Sequence, residues 1–95
     1  MLIGIISDSH DHLGNVRRAL ALFRERGVEI VLHAGDFVSP FVSEPFREAG
    51  MRLIGVFGNN DGDKLYLRER FSGIGELHFG PHEFELGGRK ILLMH

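Results

Sequence analysis

The chain contains no cysteine, which excludes a disulfide framework and any metal site built from thiolates. It also lacks a block of lysine or arginine, and its formal net charge is -2 with the histidines neutral. Broad electrostatic binding to nucleic acid is therefore not indicated, because such binding needs a concentrated positive surface.

Long hydrophobic runs are also missing, since the longest one is far too short to span a membrane. No basic leader with a cleavage site can be placed, because Met1 leads directly into a predicted strand. These absences predict a cytoplasmic, soluble protein without a membrane partner.

The size and composition predict one ordinary globular domain over residues 1–95. A chain of 95 residues makes at most one domain. With 43% hydrophobic and 25% charged residues, it has enough apolar material for a modest core.

Three apolar runs end in residues that bind metal ions well, and a fourth run ends in the same way. Residues 2–7 are followed by Asp8, Ser9, His10 and Asp11, and residues 30–34 are followed by Gly35 and Asp36. Residues 53–57 are followed by Gly58, Asn59, Asn60 and Asp61, and residues 91–94 are followed by His95. If the first three runs are parallel strands, their carboxyl ends share one edge of a sheet, where α/β sheets place ligand sites. That edge would gather Asp8, His10, Asp36 and Asn59, and a fourth parallel strand would add His95.

The segments between these runs predict an α/β fold. Helical patterns occupy residues 13–26, 42–49 and 64–71, the last with Asp63 or Asp61 as its cap. A glycine-rich link follows at 72–75. Residues 82–86 and 89–95, joined by Gly87 and Gly88, predict a β-hairpin with a two-residue turn. The order is therefore a parallel β-α-β-α-β core followed by a β-hairpin.

Each motif taken alone also has a local explanation. Aspartate favours helix caps and turns, which accounts well for Asp11 and Asp63, and Asp8 could cap the first helix. Residues 58–61 form a plausible turn by composition. Asp8 and Asp36 fit this explanation poorly, because both follow strands of the buried type, where a charge needs a partner.

The other histidines divide into three groups. His12 is either close to the site or merely exposed. His33 lies inside a strand and is predicted to be a hydrogen-bonded core histidine. His78 and His82 flank Gly80 and Pro81 and are predicted to lie on the surface.

The motifs together resemble a known family. Asp8-Ser9-His10, Gly35-Asp36, the segment 58–61 and His95 match the first four motifs of the calcineurin-like metallophosphoesterases. The chain is similar to the small bacterial and archaeal phosphodiesterases of that family over its whole length. The resemblance implies the amino-terminal part of a four-layer αββα sandwich, in which two β-sheets pack face to face with helices outside.

The resemblance also implies a dinuclear metal site. Asp8 and His10 would hold the first ion, Asp36 would bridge both ions, and Asn59 and His95 would hold the second. A ligand set of oxygen and nitrogen without sulfur suits Mn²⁺ and also accepts Fe, Ni or Zn.

The chain departs from the family pattern in two ways. The final Gly-His-x-His motif is missing, so we expect the chain to be the amino-terminal portion of a longer domain, with an incomplete site that binds metal more weakly and has little turnover. Asn60 stands where many members carry a histidine that can protonate the leaving group. An amide can donate a hydrogen bond to phosphate but cannot act as a general acid near neutral pH. The predicted catalytic residues are Asn60 and Asp61, with Asp61 steadying the neighbouring position.

These features predict a metal-dependent phosphodiesterase that acts on a small-molecule phosphoester. Two alternatives stay open: a non-catalytic scaffold member of the same fold, and a phosphomonoesterase. The exposed apolar strands of a partial sheet are also expected to drive self-association.

Overall fold

The computed structural model describes residues 1–10 and 12–95. Asp11, predicted as a cap or turn residue, lies outside the described residues. Four parallel strands form one sheet in chain order, and they are β1 (Ile3–Ile6), β2 (Ile30–His33), β3 (Arg52–Val56) and β4 (Gly75–His78). Because the strands are parallel, their carboxyl ends meet at one edge of the sheet.

Three helices connect these strands. They are α1 (Leu13–Glu25), α2 (Ser43–Ala49), which follows a short 3-10 turn at Pro40–Val42, and α3 (Lys64–Arg70). Asp63 caps α3, since its side chain accepts a hydrogen bond from the backbone N–H of Tyr66 at 3.2 Å. None of the helices in the described part of the chain has the length and apolar character that crossing a membrane requires.

The fourth parallel strand differs from the sequence prediction. The sequence predicts only a link over residues 72–75, and it allows the strand before His95 to be a fourth parallel strand. Instead β4 begins at Gly75 and pairs with β3, while the strand before His95 lies in another sheet. The reason is that β4 is four residues long and buries only Leu77, so its sequence carries almost no hydrophobic pattern.

The predicted hairpin is confirmed. Strands β5 (His82–Leu86) and β6 (Arg89–Leu93) pair antiparallel, with Leu86 opposite Arg89 across the two-residue turn. They form a separate two-stranded sheet.

The core lies on both faces of the parallel sheet. One cluster packs the helices against the sheet and includes Val16, Leu20, Phe46, Leu53 and Phe71. The other cluster packs the parallel sheet against the hairpin and contains Ile30, Leu32, Ile54, Val56 and Leu93. The chain therefore has three layers, helices, parallel sheet and hairpin. Burial of Leu93 carries the end of β6 towards the edge where β1 to β3 end.

Candidate metal centre

The loops after β1 and β2 are bound to each other through their backbones. The N–H of Asp8 donates to the carbonyl of Gly35 at 2.8 Å, and the N–H of His10 donates to the carbonyl of Asp36 at 3.0 Å. Asp8, His10 and Asp36 all have left-handed backbones, with φ of 52°, 50° and 63°. Such conformations are costly for residues other than glycine and concentrate at functional sites. Here they turn three potential ligands towards one another.

Two glycines allow the loops after β2 and β3 to approach closely. A Cβ on Gly35 would lie 2.8 Å from the Cα of Gly58 and 2.9 Å from Nδ1 of His95. A Cβ on Gly58 would overlap Oδ1 and the backbone nitrogen of Asp36. Any side chain at either position would therefore displace a predicted ligand.

Asp8, His10 and Asp36 form the first group of potential ligands. Nε2 of His10 lies 4.0 Å from Oδ1 of Asp8 and 3.7 Å from Oδ2 of Asp36. One ligand atom from each residue lies within 4.8 Å of the other two. The His10 contacts are too long for hydrogen bonds but suit ligands that share one ion, since ligand atoms about 2.1 Å from an ion lie up to about 4.2 Å apart.

His95 joins Asn59 and Asp36 in a second group. Nδ1 of His95 lies 2.8 Å from the carbonyl oxygen of Ala34, which can only accept, so Nδ1 carries the proton. In the neutral ring Nε2 is then an acceptor, and it faces Oδ1 of Asn59 at 2.6 Å and Oδ1 of Asp36 at 3.6 Å. Three acceptor atoms that converge in this way need a cation or a proton between them. Nε2 of His95, Oδ1 of Asn59 and Oδ1 of Asp36 can therefore serve as ligands of a divalent metal ion.

Asn60 holds the carboxylate of Asp36, which is 2% exposed. The backbone N–H of Asn60 donates to Oδ1 at 2.9 Å, and its side-chain amide donates to Oδ2 at 2.7 Å. Burial by itself would raise the pKa of Asp36, but the Asn60 hydrogen bonds and nearby His95 outweigh it and hold that pKa below the ordinary value. Asp36 is therefore ionised, the form that binds metal.

Asp61 is fully buried beneath the centre. Its carboxylate accepts hydrogen bonds from three backbone N–H groups, those of Asp36 at 2.9 Å, Val38 at 2.7 Å and Gly58 at 2.7 Å. It thereby joins the loop after β2 to the loop after β3. The side chain does not reach the open side of the site, so its contacts are those of a positioning residue.

His33 is buried, as predicted, and it supports the centre in a way that the sequence did not indicate. Its Nδ1 accepts from the N–H of Gly35 at 3.0 Å, so Nε2 carries the proton and donates to Oγ of Ser9 at 2.8 Å. The ring stacks on Phe37 with centroids 3.7 Å apart. Ser9, between Asp8 and His10, was the only sequence signal for this contact, and it is buried.

The remaining histidines lie outside these two groups. His12 is exposed and, together with Asp8 and Asn15, lines a pocket of about 250 Å³ beside the centre. His78 and His82 are half-buried and stack on each other, so they are less exposed than predicted.

Comparison with known proteins gives consistent matches. The sequence model of the calcineurin-like phosphoesterase superfamily domain matches residues 1–95. The chain is 47% identical over 76 residues to the phosphodiesterase MJ0936 of Methanocaldococcus jannaschii, an alignment that covers 80% of this chain and 46% of that protein.

Two solved structures are similar. One is described as a novel archaeal phosphodiesterase, and it superposes with a TM-score of 0.87 at 39% identity over 95% of this chain and 56% of that chain. The other, YfcE, a phosphoesterase from E. coli, superposes with a TM-score of 0.72 at 24% identity over 100% of this chain and 57% of that chain, which shows likeness of fold alone. The chain thus spans about half the length of these relatives. The predicted α/β fold with its parallel core and hairpin is confirmed.

Proposed function

The chain belongs to the calcineurin-like phosphoesterase superfamily, and on that premise we propose that its metal centre hydrolyses phosphodiesters with two divalent cations as cofactors. The observation that carries the proposal is the placement of Asp36. Its Oδ2 faces His10 at 3.7 Å and its Oδ1 faces His95 at 3.6 Å, so one carboxylate serves both ligand groups.

The five ligands then divide between two ions. Asp8 and His10 would hold the first ion, Asn59 and His95 would hold the second, and Asp36 would serve both. Two such ions would activate a water molecule and neutralise phosphate oxygens. The oxygen and nitrogen donors favour Mn²⁺, with Fe, Ni or Zn as alternatives. Retention of all five residues favours an enzyme over a non-catalytic scaffold.

Asn60 and Asp61 have distinct roles in this proposal. Asn60 restrains Asp36 through two hydrogen bonds and offers an amide donor to a phosphate oxygen. Because an amide cannot donate a proton near neutral pH, the leaving group departs without help from this position. Asp61 fixes the loops that carry Asp36 and Gly58. The substrate class is accordingly a small phosphodiester whose leaving group is already acidic.

The test compares Asp36→Asn with Asp63→Asn, a control at the exposed cap of α3, in a protein of the length of the relatives, because the 95-residue chain alone is expected to turn over little substrate. Asp36→Asn should reduce Mn²⁺-dependent hydrolysis of bis(p-nitrophenyl) phosphate by more than about 100-fold, since a bridging ligand is lost. Titration with Mn²⁺, followed by the electron paramagnetic resonance of the free ion, should show weaker binding as well. Asp63→Asn should match the parent in both measurements. Activity of Asp36→Asn within about tenfold of the parent would rule out the bridging role.

A further inference from the structure

Two histidines and a glutamate form a second cluster away from the metal centre. Nε2 of His78 lies 2.9 Å from Oε2 of Glu76, and the rings of His78 and His82 stack with centroids 3.6 Å apart and planes 13° apart. One ligand atom from each of the three residues lies within 4.8 Å of the other two.

The three residues lie where the two sheets meet. Along β4, Leu77 is buried in the cluster on the helix side, so Glu76 and His78 lie on the opposite face, towards the hairpin. His82 begins β5 and shares a face with Phe84 and Leu86, which pack against the cluster between the sheets. Glu76 and His78 therefore belong to the parallel sheet, and His82 belongs to the hairpin.

Packing restrains the rings of this cluster. His82 stacks on His78 on one side and contacts Phe84, with ring centroids 5.2 Å apart and planes 22° apart. The side chain of His78 is 31% exposed and that of Glu76 is 51% exposed, so the cluster is open to solvent while the histidine rings are held in place. Because stacked rings direct their nitrogen lone pairs nearly in parallel, the two rings must tilt towards each other for a nitrogen of each to reach one ion.

We propose that Glu76, His78 and His82 bind a divalent transition-metal ion of the Zn²⁺ type and that this ion ties the parallel sheet to the hairpin. Two imidazoles and one carboxylate are a ligand set that Zn²⁺ takes in proteins, with water completing the coordination. The site shares no residue with the metal centre. Binding of this ion is therefore independent of the proposed phosphodiesterase activity.

Binding at this place has a measurable consequence. The ligands come from β4 and β5, which are not hydrogen-bonded to each other, so the ion adds a connection between the two sheets. An ion that binds the folded chain better than the unfolded chain raises the midpoint of thermal unfolding. Zn²⁺ should therefore raise that midpoint, in addition to any effect of the metal centre.

The test counts Zn²⁺ ions by isothermal titration calorimetry in the parent and in His82→Asn, and it records the thermal midpoint of each. His82→Asn should bind one Zn²⁺ fewer and should lose part of the rise in midpoint. Nitrogen-15 resonances of the His78 and His82 rings should shift in the parent when that ion binds. Equal stoichiometry and an equal rise in midpoint in both proteins would overturn the proposal.

A second pair of variants covers the case in which His82→Asn fails to fold. Glu76→Gln removes the charged ligand from an exposed position, and Glu85→Gln is its control on an exposed position of β5. Glu76→Gln should weaken Zn²⁺ binding by more than about tenfold, because even the loss of a residue that only hydrogen-bonds to a metal ligand can weaken binding by that factor. Glu85→Gln should bind as the parent does. Identical binding by Glu76→Gln and Glu85→Gln would also overturn the proposal.

Discussion

His33 connects the chemistry of the core to the pH dependence of folding. Burial disfavours the charged ring and lowers the pKa of His33 to about 3, against the opposing attraction of Asp36. In the unfolded chain the same ring titrates near its ordinary value of 6.5. Between these two values the unfolded chain binds more protons than the folded chain. The stability linked to His33 is therefore fully present above about pH 6.5 and is lost as pH falls towards 3.

We expect this loss to be visible in urea unfolding at several pH values. The contribution of His33 to the free energy of unfolding should fall by at most about 1.4 kcal/mol per pH unit between pH 6.5 and 3. His33→Gln should be less stable than the parent at pH 7 but should lack this part of the slope. His12→Gln, at an exposed histidine, should keep the parental slope. The same slope in His33→Gln and the parent would show that other groups cause the acid sensitivity.

Asn60 makes a testable difference to the chemistry of the centre. Without a proton donor at this position, the rate should depend steeply on the acidity of the leaving group. A series of aryl phosphodiesters with graded leaving-group pKa should show this dependence in the parent and in Asn60→Ala. Asn60→His should flatten it, since an imidazolium can protonate the departing oxygen. A flat dependence in the parent, with chemistry shown to limit the rate, would mean that another residue supplies the proton.

Helices and strands with a strong hydrophobic pattern could be predicted from the sequence, whereas β4, which has almost none, could not. The helix predicted over 13–26 is observed at Leu13–Glu25, and the one predicted over 64–71 is observed at Lys64–Arg70. Apolar periodicity accounts for both, and Asp63 caps the second, whereas the N-cap of the first is His12, without a side-chain hydrogen bond, and not Asp8. Strand β4 could not be predicted because backbone hydrogen bonds pair it with β3 and Leu77 is its one buried residue.

Part of the candidate site could likewise be predicted from the sequence, and part could not. Polar residues directly after parallel strands could be expected to meet, which brought Asp8, His10, Asp36 and Asn59 into one prediction. His95 reaches them from a different sheet, and its position depends on how the hairpin packs. The contact between Ser9 and His33 depends on the left-handed backbone of the loop. Neither feature follows from periodicity or motif spacing, because both arise only after the layers have packed.

The packing of β6 can be tested through the residues just before His95. Leu93 is buried at 6% exposure and Leu92 is 56% exposed, so alanine at each gives a matched pair on one strand. Leu93→Ala should lower the free energy of unfolding by about 2 kcal/mol or more, whereas Leu92→Ala should change it by less than about 0.5 kcal/mol. Urea unfolding measures both values. Mn²⁺ titration should show weaker binding only in Leu93→Ala, because β6 positions His95, and equal binding by both variants would contradict that role.

The whole molecule presents apolar side chains on strands that have free edges. Strand β6 exposes Leu92, Met94 just after it is also exposed, and β1, at the edge of the parallel sheet, exposes Ile5. An exposed edge with apolar side chains favours pairing with another chain. The net charge of -2 offers little repulsion against such contact.

We therefore predict that the 95-residue chain self-associates through these strands. Sedimentation velocity over a range of concentrations should show a species larger than the monomer. The fraction of the chain in this species should rise with concentration. Leu92→Lys and Ile5→Lys place charges on the two candidate edges, and the variant that restores the monomer identifies the edge in use. Leu65→Lys, on the exposed face of α3, is the control and should associate as the parent does. A monomer at every concentration in the parent would contradict the prediction, because the apolar strands would then be stable in water without a partner.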